Sequence, residues 1–211
     1  MYQPKKYRKK DPQYIYDFIK AHPFATFVIA GEQLLASHIP VLIKGTPGDF
    51  TLYGHIANHN DQLSHLKTGA EALMIFQGAH GYVSSSWYKE KDISTWDYSA
   101  VHVNVKIRVQ TPGELEASLQ DLVAHFEKGQ EKPLYFKDYP RPMVDEHLPL
   151  ITGFWGDPVK TLAVAKLHQG TNKEDLKSVT RHLDDMKDPL ATELSRNIRE
   201  ENKMKRNDSK N

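Results

Sequence analysis

The sequence predicts an α+β protein built on an antiparallel β-barrel or a strongly curved antiparallel sheet, with helices at its periphery. Three observations predict it. Short β-branched and aromatic runs recur between tight turns. One run, 101–109, alternates strictly, with Val101, Val103, Val105, Ile107 and Val109 against His102, Asn104, Lys106 and Arg108, the period of a half-buried strand. Capping residues followed by Pro, as in Asp11-Pro12 and Thr111-Pro112, mark a few helices set among the strands.

In chain order, Asp11-Pro12 opens a helix over 12–21, supported by Ile15, Phe18 and Ile19 and closed by His22-Pro23. Strands follow at 24–30, 34–43 and 50–56, separated by Gly31-Glu32 and by Gly45-Thr46-Pro47-Gly48. Short turns between them predict an antiparallel meander. A short helix is expected over 60–67, a strand over 71–77 and another at 80–83. The stretch 84–99 reads as irregular. After the strand at 101–109, Thr111, Pro112 and Glu114 predict a capped helix to about residue 128. Residues 129–149 are Pro-rich and interrupted. Two strands are expected at 150–157 and 159–167, around Asp157-Pro158. Thr171 to Glu174 reads as a capping box for a helix reaching Met186. Asp188-Pro189 restarts a polar helix that dissolves into a charged tail, so the expected division is a domain over 1–187 and a tail over 188–211.

Composition excludes several classes. The mean hydropathy of -0.61 and the lack of an apolar run near the ~20 residues of a spanning helix exclude a helical membrane protein. No apolar core follows the basic start, so no secretion signal is expected. With no cysteine, neither disulfides nor thiolate sites are available. These features fit a cytoplasmic protein. Lys and Arg total 28 against 27 Asp and Glu, which leaves no global field for nucleic acid. The basic runs at 5–10 and from Lys203 onward are terminal and read as solvated ends.

Chemistry-bearing motifs are few. There is no Gly-rich phosphate loop and no HExxH. His55 and His59 stand four apart at a strand end rather than on a helix, a poor metal geometry, and no metal site is expected. Ser84-Ser85-Ser86 lacks the elbow of a serine hydrolase. The unusual segment is 78–102, with Trp87, Trp96, Tyr82, Tyr88 and Tyr98. Such rings either plug a barrel mouth or dimer interface, or wall a pocket for a flat ligand.

At these residues the chain resembles the PaiB family, the FMN-binding negative transcriptional regulators. MYQPKKY at 1–7, ASHIP at 36–40, LYGHIAN at 52–58, MIFQGAHGYVSSSWY at 74–88, STWDYSAVHV at 94–103 and KLHQG at 166–170 keep the family's order and spacing. The resemblance implies an antiparallel split β-barrel, related to the pyridoxamine-phosphate-oxidase barrels, that forms a homodimer and binds FMN at the subunit interface. The matching positions are His38, His55, Asn58, Tyr82, Ser84, Ser86, Trp87, Tyr88, Thr95, Trp96, Tyr98 and His102. The phosphate would want cationic or hydroxyl donors. Lys106 and Arg108 offer them in line with His102, unless that row is simply solvated, and Lys166 is next. Trp87 and Trp96 are candidate walls for the flavin ring.

Two departures stand out. The family's SQNR after Lys-Leu is His168-Gln169-Gly170-Thr171 here, and its Asn-Pro is Asn58-His59. Three functions follow: a flavin-dependent regulator or sensor, a flavin-dependent oxidoreductase, or an interaction module without cofactor. No helix-turn-helix supports direct DNA contact.

Overall fold

The computed structural model describes residues 1–203. The charged end beyond Lys203, part of the expected tail, lies outside the described residues. The strands are β1 (Arg8–Lys9), β2 (Phe24–Ala30), β3 (Leu34–Pro40), β4 (Leu42–Thr46), β5 (Asp49–Ala57), β6 (Glu71–Val83), β7 (Thr95–Val109) and β8 (Ile151–Lys166). The helices are α1 (Pro12–Ala21), α2 (Pro112–Glu127), α3 (Arg141–His147), α4 (Lys173–Asp185) and α5 (Pro189–Glu201). The strands form one eight-stranded sheet in the order β3-β2-β6-β7-β8-β5-β4, with β1 paired to β8. The pairings of β1–β8, β2–β3, β2–β6, β4–β5 and β5–β8 are antiparallel. The α+β expectation holds.

Several boundaries moved. The run 34–43 is two strands, not one. Pro40 has no N–H to extend the ladder, and the amide of Val41 donates to Pro23 O at 2.7 Å. The expected meander is therefore two hairpins, β2–β3 and β4–β5, at opposite ends of the strand order. Conversely, 71–77 and 80–83 are one strand. So are 150–157 and 159–167, because Pro158 falls between the register with β5 (151–156) and the register with β1 (163–164), where those ladders ask for no N–H. The strand expected at 101–109 begins at Thr95, inside the stretch read as irregular. The helix expected at 60–67 is a 3₁₀ turn over Asp61–His65. Short 3₁₀ turns and α3 occupy the interrupted stretch 129–149. Thr111 and Glu114 do form the capping box of α2. At α4 the cap is Asn172, whose side chain accepts from Asp175 N, rather than Thr171.

The chain divides into two compact units. The first takes Met1–Asp11, Gln77–Val101 and the chain from Leu162 onward. Its core includes Val83, Leu167 and the packed pair α4 and α5, where Leu176, Val179 and Leu183 meet Ala191, Leu194 and Ile198. The helix at 189–201 is thus amphipathic rather than uniformly polar. Its buried positions recur every three or four residues, and Asp188 accepts from Ala191 N to cap it.

The second unit takes Pro12–Phe76 and His102–Thr161. Phe27 and Phe154 stack 5.0 Å apart at its centre, with Phe76, Val103, Val105 and Ile107 fully buried around the unit's core. The alternation in β7 behaves as its period requires: the valines and Ile107 point inward, while Asn104, Lys106 and Arg108 are exposed. Val109 is the exception and is exposed.

Candidate functional site

In the first unit the loop after β6 and the turn after β8 are tied by a buried polar chain. Asp97 sits in β7 at an inward position and is fully buried. Its Oδ2 accepts from Nδ1 of His168; a carboxylate can only accept, so that nitrogen carries the proton. Nε2 of His168 lies 2.8 Å from the hydroxyl of Tyr88. Burial, helped by the Asp97 charge, pushes the Tyr88 phenol up to about 12, so it stays protonated near neutrality. His168 adopts a left-handed backbone, with φ 57°, uncommon for a residue with a side chain. The Oδ1 of Asp97 finds no partner among the described residues.

The substituted segment 168–171 is therefore occupied by a network of its own. Gln169 accepts from Leu167 N at 2.9 Å and donates to Ala165 O at 2.6 Å. Gly170 takes φ 78°. The neighbouring loop is fastened to α4: Trp87 stacks on His182 at 5.0 Å with planes 3° apart, and Lys89 N donates to Asp175 Oδ1. Ser84 accepts from the Ser86 amide, and their hydroxyls are 2.8 Å apart. One face of Trp87 thus rests on α4.

Trp96 is different. Its side chain is 51% exposed, with its indole N–H donating to His80 Nδ1 at 3.2 Å and the Tyr82 ring 6.4 Å away. Lys166 donates to Thr95 Oγ1 and, at 3.0 Å, to Trp96 O. A half-exposed indole, a phenol, a hydroxyl and an amine thus stand together inside one unit. Tyr98 is half-buried in the same strand.

The remaining expected residues, His38, His55, Asn58, His102, Lys106 and Arg108, all lie in the second unit. His38 stacks beside the exposed Phe24 ring at 6.0 Å. His55 lies opposite Gly153 in the β5–β8 register, and burial lowers its pKa. Burial lowers that of His102 as well. Asn58 is committed locally: its Nδ2 donates to Pro149 O at 2.7 Å and its Oδ1 accepts from Thr152 Oγ1 at 2.6 Å. Arg108 forms a forked pair with Asp157, at 2.6 and 3.1 Å. That hydrogen bonding holds the Asp157 carboxyl below its ordinary range. Arg108 thus stays exposed while its Nε and Nη2 are paired with Asp157, and Lys106 is exposed as well.

Sequence reasoning missed Asp97, His168 and Asp157 as structural partners. For Asp97 a signal existed: a carboxylate at an inward register position of a strand must be paired. Nothing local to His168 or Asp157 announces a partner 71 or 49 residues away.

Residues 1–155 match a family model described as "Putative FMN-binding domain". The chain is 28% identical over 196 residues to the protease synthase and sporulation protein PAI 2 of Bacillus subtilis (strain 168), covering 92% of this chain and 95% of the relative. Among solved structures it is similar to the FAD and heme binding protein from Mycobacterium smegmatis, with a TM-score of 0.56 and 17% identity, covering 80% of this chain and 78% of the other. It is also similar to the flavocytochrome Anf3 from Azotobacter vinelandii, with a TM-score of 0.53 and 12% identity over 80% and 73% of the two chains. The structural likenesses concern the fold, and the split-barrel expectation stands. With the family model matched over most of its length, the chain belongs to the FMN-binding domain family of PaiB-type proteins.

Proposed function

We propose that this protein is a flavin-dependent regulator or sensor of the PaiB type, binding FMN as a cytoplasmic homodimer. The observation that carries the reading is the family match over residues 1–155. The flavin-binding names of two structural neighbours support it. Among the described residues no helix is long and apolar enough to cross a membrane.

The residues of the first unit fit the cofactor's chemistry. Trp96 and Tyr82 present exposed aromatic faces against which a flavin ring can stack. Lys166 and Thr95, directly beside Trp96, are donors of the kind a phosphate requires. When bound, FMN supplies a redox-active ring; the chain's own residues bind and orient it. Tyr88, whose hydroxyl donates to Nε2 of His168, contributes a phenol oxygen of fixed direction. Lys166 is favoured over Arg108 for the phosphate because it stands beside the exposed Trp96 ring, whereas Arg108 is paired with Asp157.

Association is supported by apolar side chains left in water. Ile93, Tyr82 and Trp96 in the first unit, and Phe24 and Leu34 in the second, are exposed. Burying such side chains against a second copy removes apolar area from water, and a two-fold dimer is the commonest closed arrangement. The near-balanced charge gives no field for direct DNA contact.

The test is an absorbance spectrum of the purified protein, with an FMN titration and light scattering. Flavin bands, FMN released on denaturation and a mass of two chains are expected. A colourless protein that takes up no added FMN would sink the cofactor reading, and a monomeric mass the dimer.

A further inference from the structure

The second unit contains a cleft of about 810 Å³, walled by α2, α3, the 3₁₀ turns on either side of α3 and the end of β5. That volume falls within the roughly 300–1,000 Å³ of small-molecule sites. Leu119 and Val123 of α2 line it together with Phe136, Met143 and Val144, and no Lys, Arg, Asp or Glu does. A phosphate has no cation to pair with there, so the cleft is not built for FMN. Met143 and Leu150 are left 48% and 58% exposed on its walls, apolar surface that an occupant would remove from water. The thioether of Met143 adapts to irregular shapes.

Polar groups in the lining are few. The amide of Asn58 is consumed by Pro149 O and Thr152. His147 donates Nδ1–H to Met143 O at 2.7 Å, which leaves Nε2 of the neutral ring as an acceptor. His59 also lines the cleft. The set is an apolar box whose polar side-chain atoms include the imidazole nitrogens of His59 and His147 and the phenol hydroxyl of Tyr139.

We propose that this cleft is a second ligand site, whose occupant is an uncharged polycyclic aromatic molecule carrying one O–H or N–H donor. Phe136, Tyr139 and Met143 suit flat apolar rings, absence of charged side chains disfavours ionised groups, and the His147 imidazole and the Tyr139 phenol oxygen can each accept from a donor. This makes the protein a receptor for an apolar effector, independently of whether FMN binds.

The test is calorimetric titration of the full chain with 2-naphthol, with and without FMN. One saturable site per chain is expected. 2-Methoxynaphthalene, which lacks the donor, should bind about fivefold more weakly, the size of one net hydrogen bond. Val123→Trp, which fills the cleft, should weaken 2-naphthol by at least about tenfold with melting temperature and particle mass unchanged. Met143→Trp, at an exposed position, should do the same and guards against misfolding of the first variant. Absent saturation, or undiminished binding in both variants, would overturn the site. Equal affinity for the two naphthalenes would overturn the donor assignment. A changed particle mass in both variants would make the cleft a protein interface and overturn the proposal. If 2-naphthol binds while FMN does not, the flavin reading alone fails.

Discussion

The hydroxyl of Tyr88 lies 2.8 Å from Nε2 of His168, whose other nitrogen donates to the fully buried carboxylate of Asp97. One imidazole therefore joins the loop after β6 to the strand β7 and to the turn after β8. It does so at the position where the family carries a serine.

Restoring that serine should be costly. His168→Ser leaves the Asp97 carboxylate buried without its donor, a loss of about 3 kcal/mol or more for a broken buried pair. Asp97→Asn keeps an oxygen acceptor for Nδ1–H and should cost less. Urea midpoints at unchanged slope measure both. A loss below about 1 kcal/mol for His168→Ser would mean that the network is dispensable.

Trp96 and Phe154 should respond oppositely. Phe154 is fully buried against Phe27, so Phe154→Ala should cost about 3–5 kcal/mol. Trp96 is half in water, and Trp96→Ala should cost under about 1 kcal/mol without cofactor while lowering FMN affinity. Thermal melts of the cofactor-free protein decide it: a large loss for Trp96→Ala would make that ring a structural plug.

Lys166→Gln should weaken FMN more than riboflavin, by about 1–3 kcal/mol, because only FMN carries the phosphate. Arg108→Gln should shift the two ligands equally, since its fork is held by Asp157. Parallel titrations with both flavins read the difference. A phosphate-specific loss in Arg108→Gln instead would return the site to the polar face of β7.

Acid should destabilise the protein through His55 and His102. Burial lowers both folded-state pKa values, so below the unfolded value of about 6.5 the unfolded chain binds protons that the folded chain refuses. Their contribution is fully present above that pH and is lost as pH falls toward the folded values. The slope is at most about 1.4 kcal/mol per pH unit for each histidine. Stability measured from pH 7 to 5 should flatten in the double variant His55→Asn and His102→Asn; an unchanged slope would assign it to other groups.

Much of this fold is local and so was legible. The helix α1 runs over the expected residues, and the Thr111-Glu114 box caps α2, because caps and periodicity act within a turn or two of chain. The alternation of 101–109 announced which face of β7 is buried. Strand limits were less legible: Pro40 ends one strand while Pro158 interrupts none, and the difference lies in whether a neighbouring ladder requires the missing N–H.

The sequence by itself determined the fold class, the family and the segments that carry its motifs, since these depend on residue order and spacing. The tertiary structure alone decided how the side chains are used. It pairs Arg108 with Asp157, stacks Trp87 on His182, bonds Asn58 to its own strand end, and leaves the Trp96 ring half exposed beside Lys166. The reason is physical. A side chain's partner is set by which strands and turns meet across many tens of residues, and a buried donor or carboxylate takes whatever partner that meeting supplies.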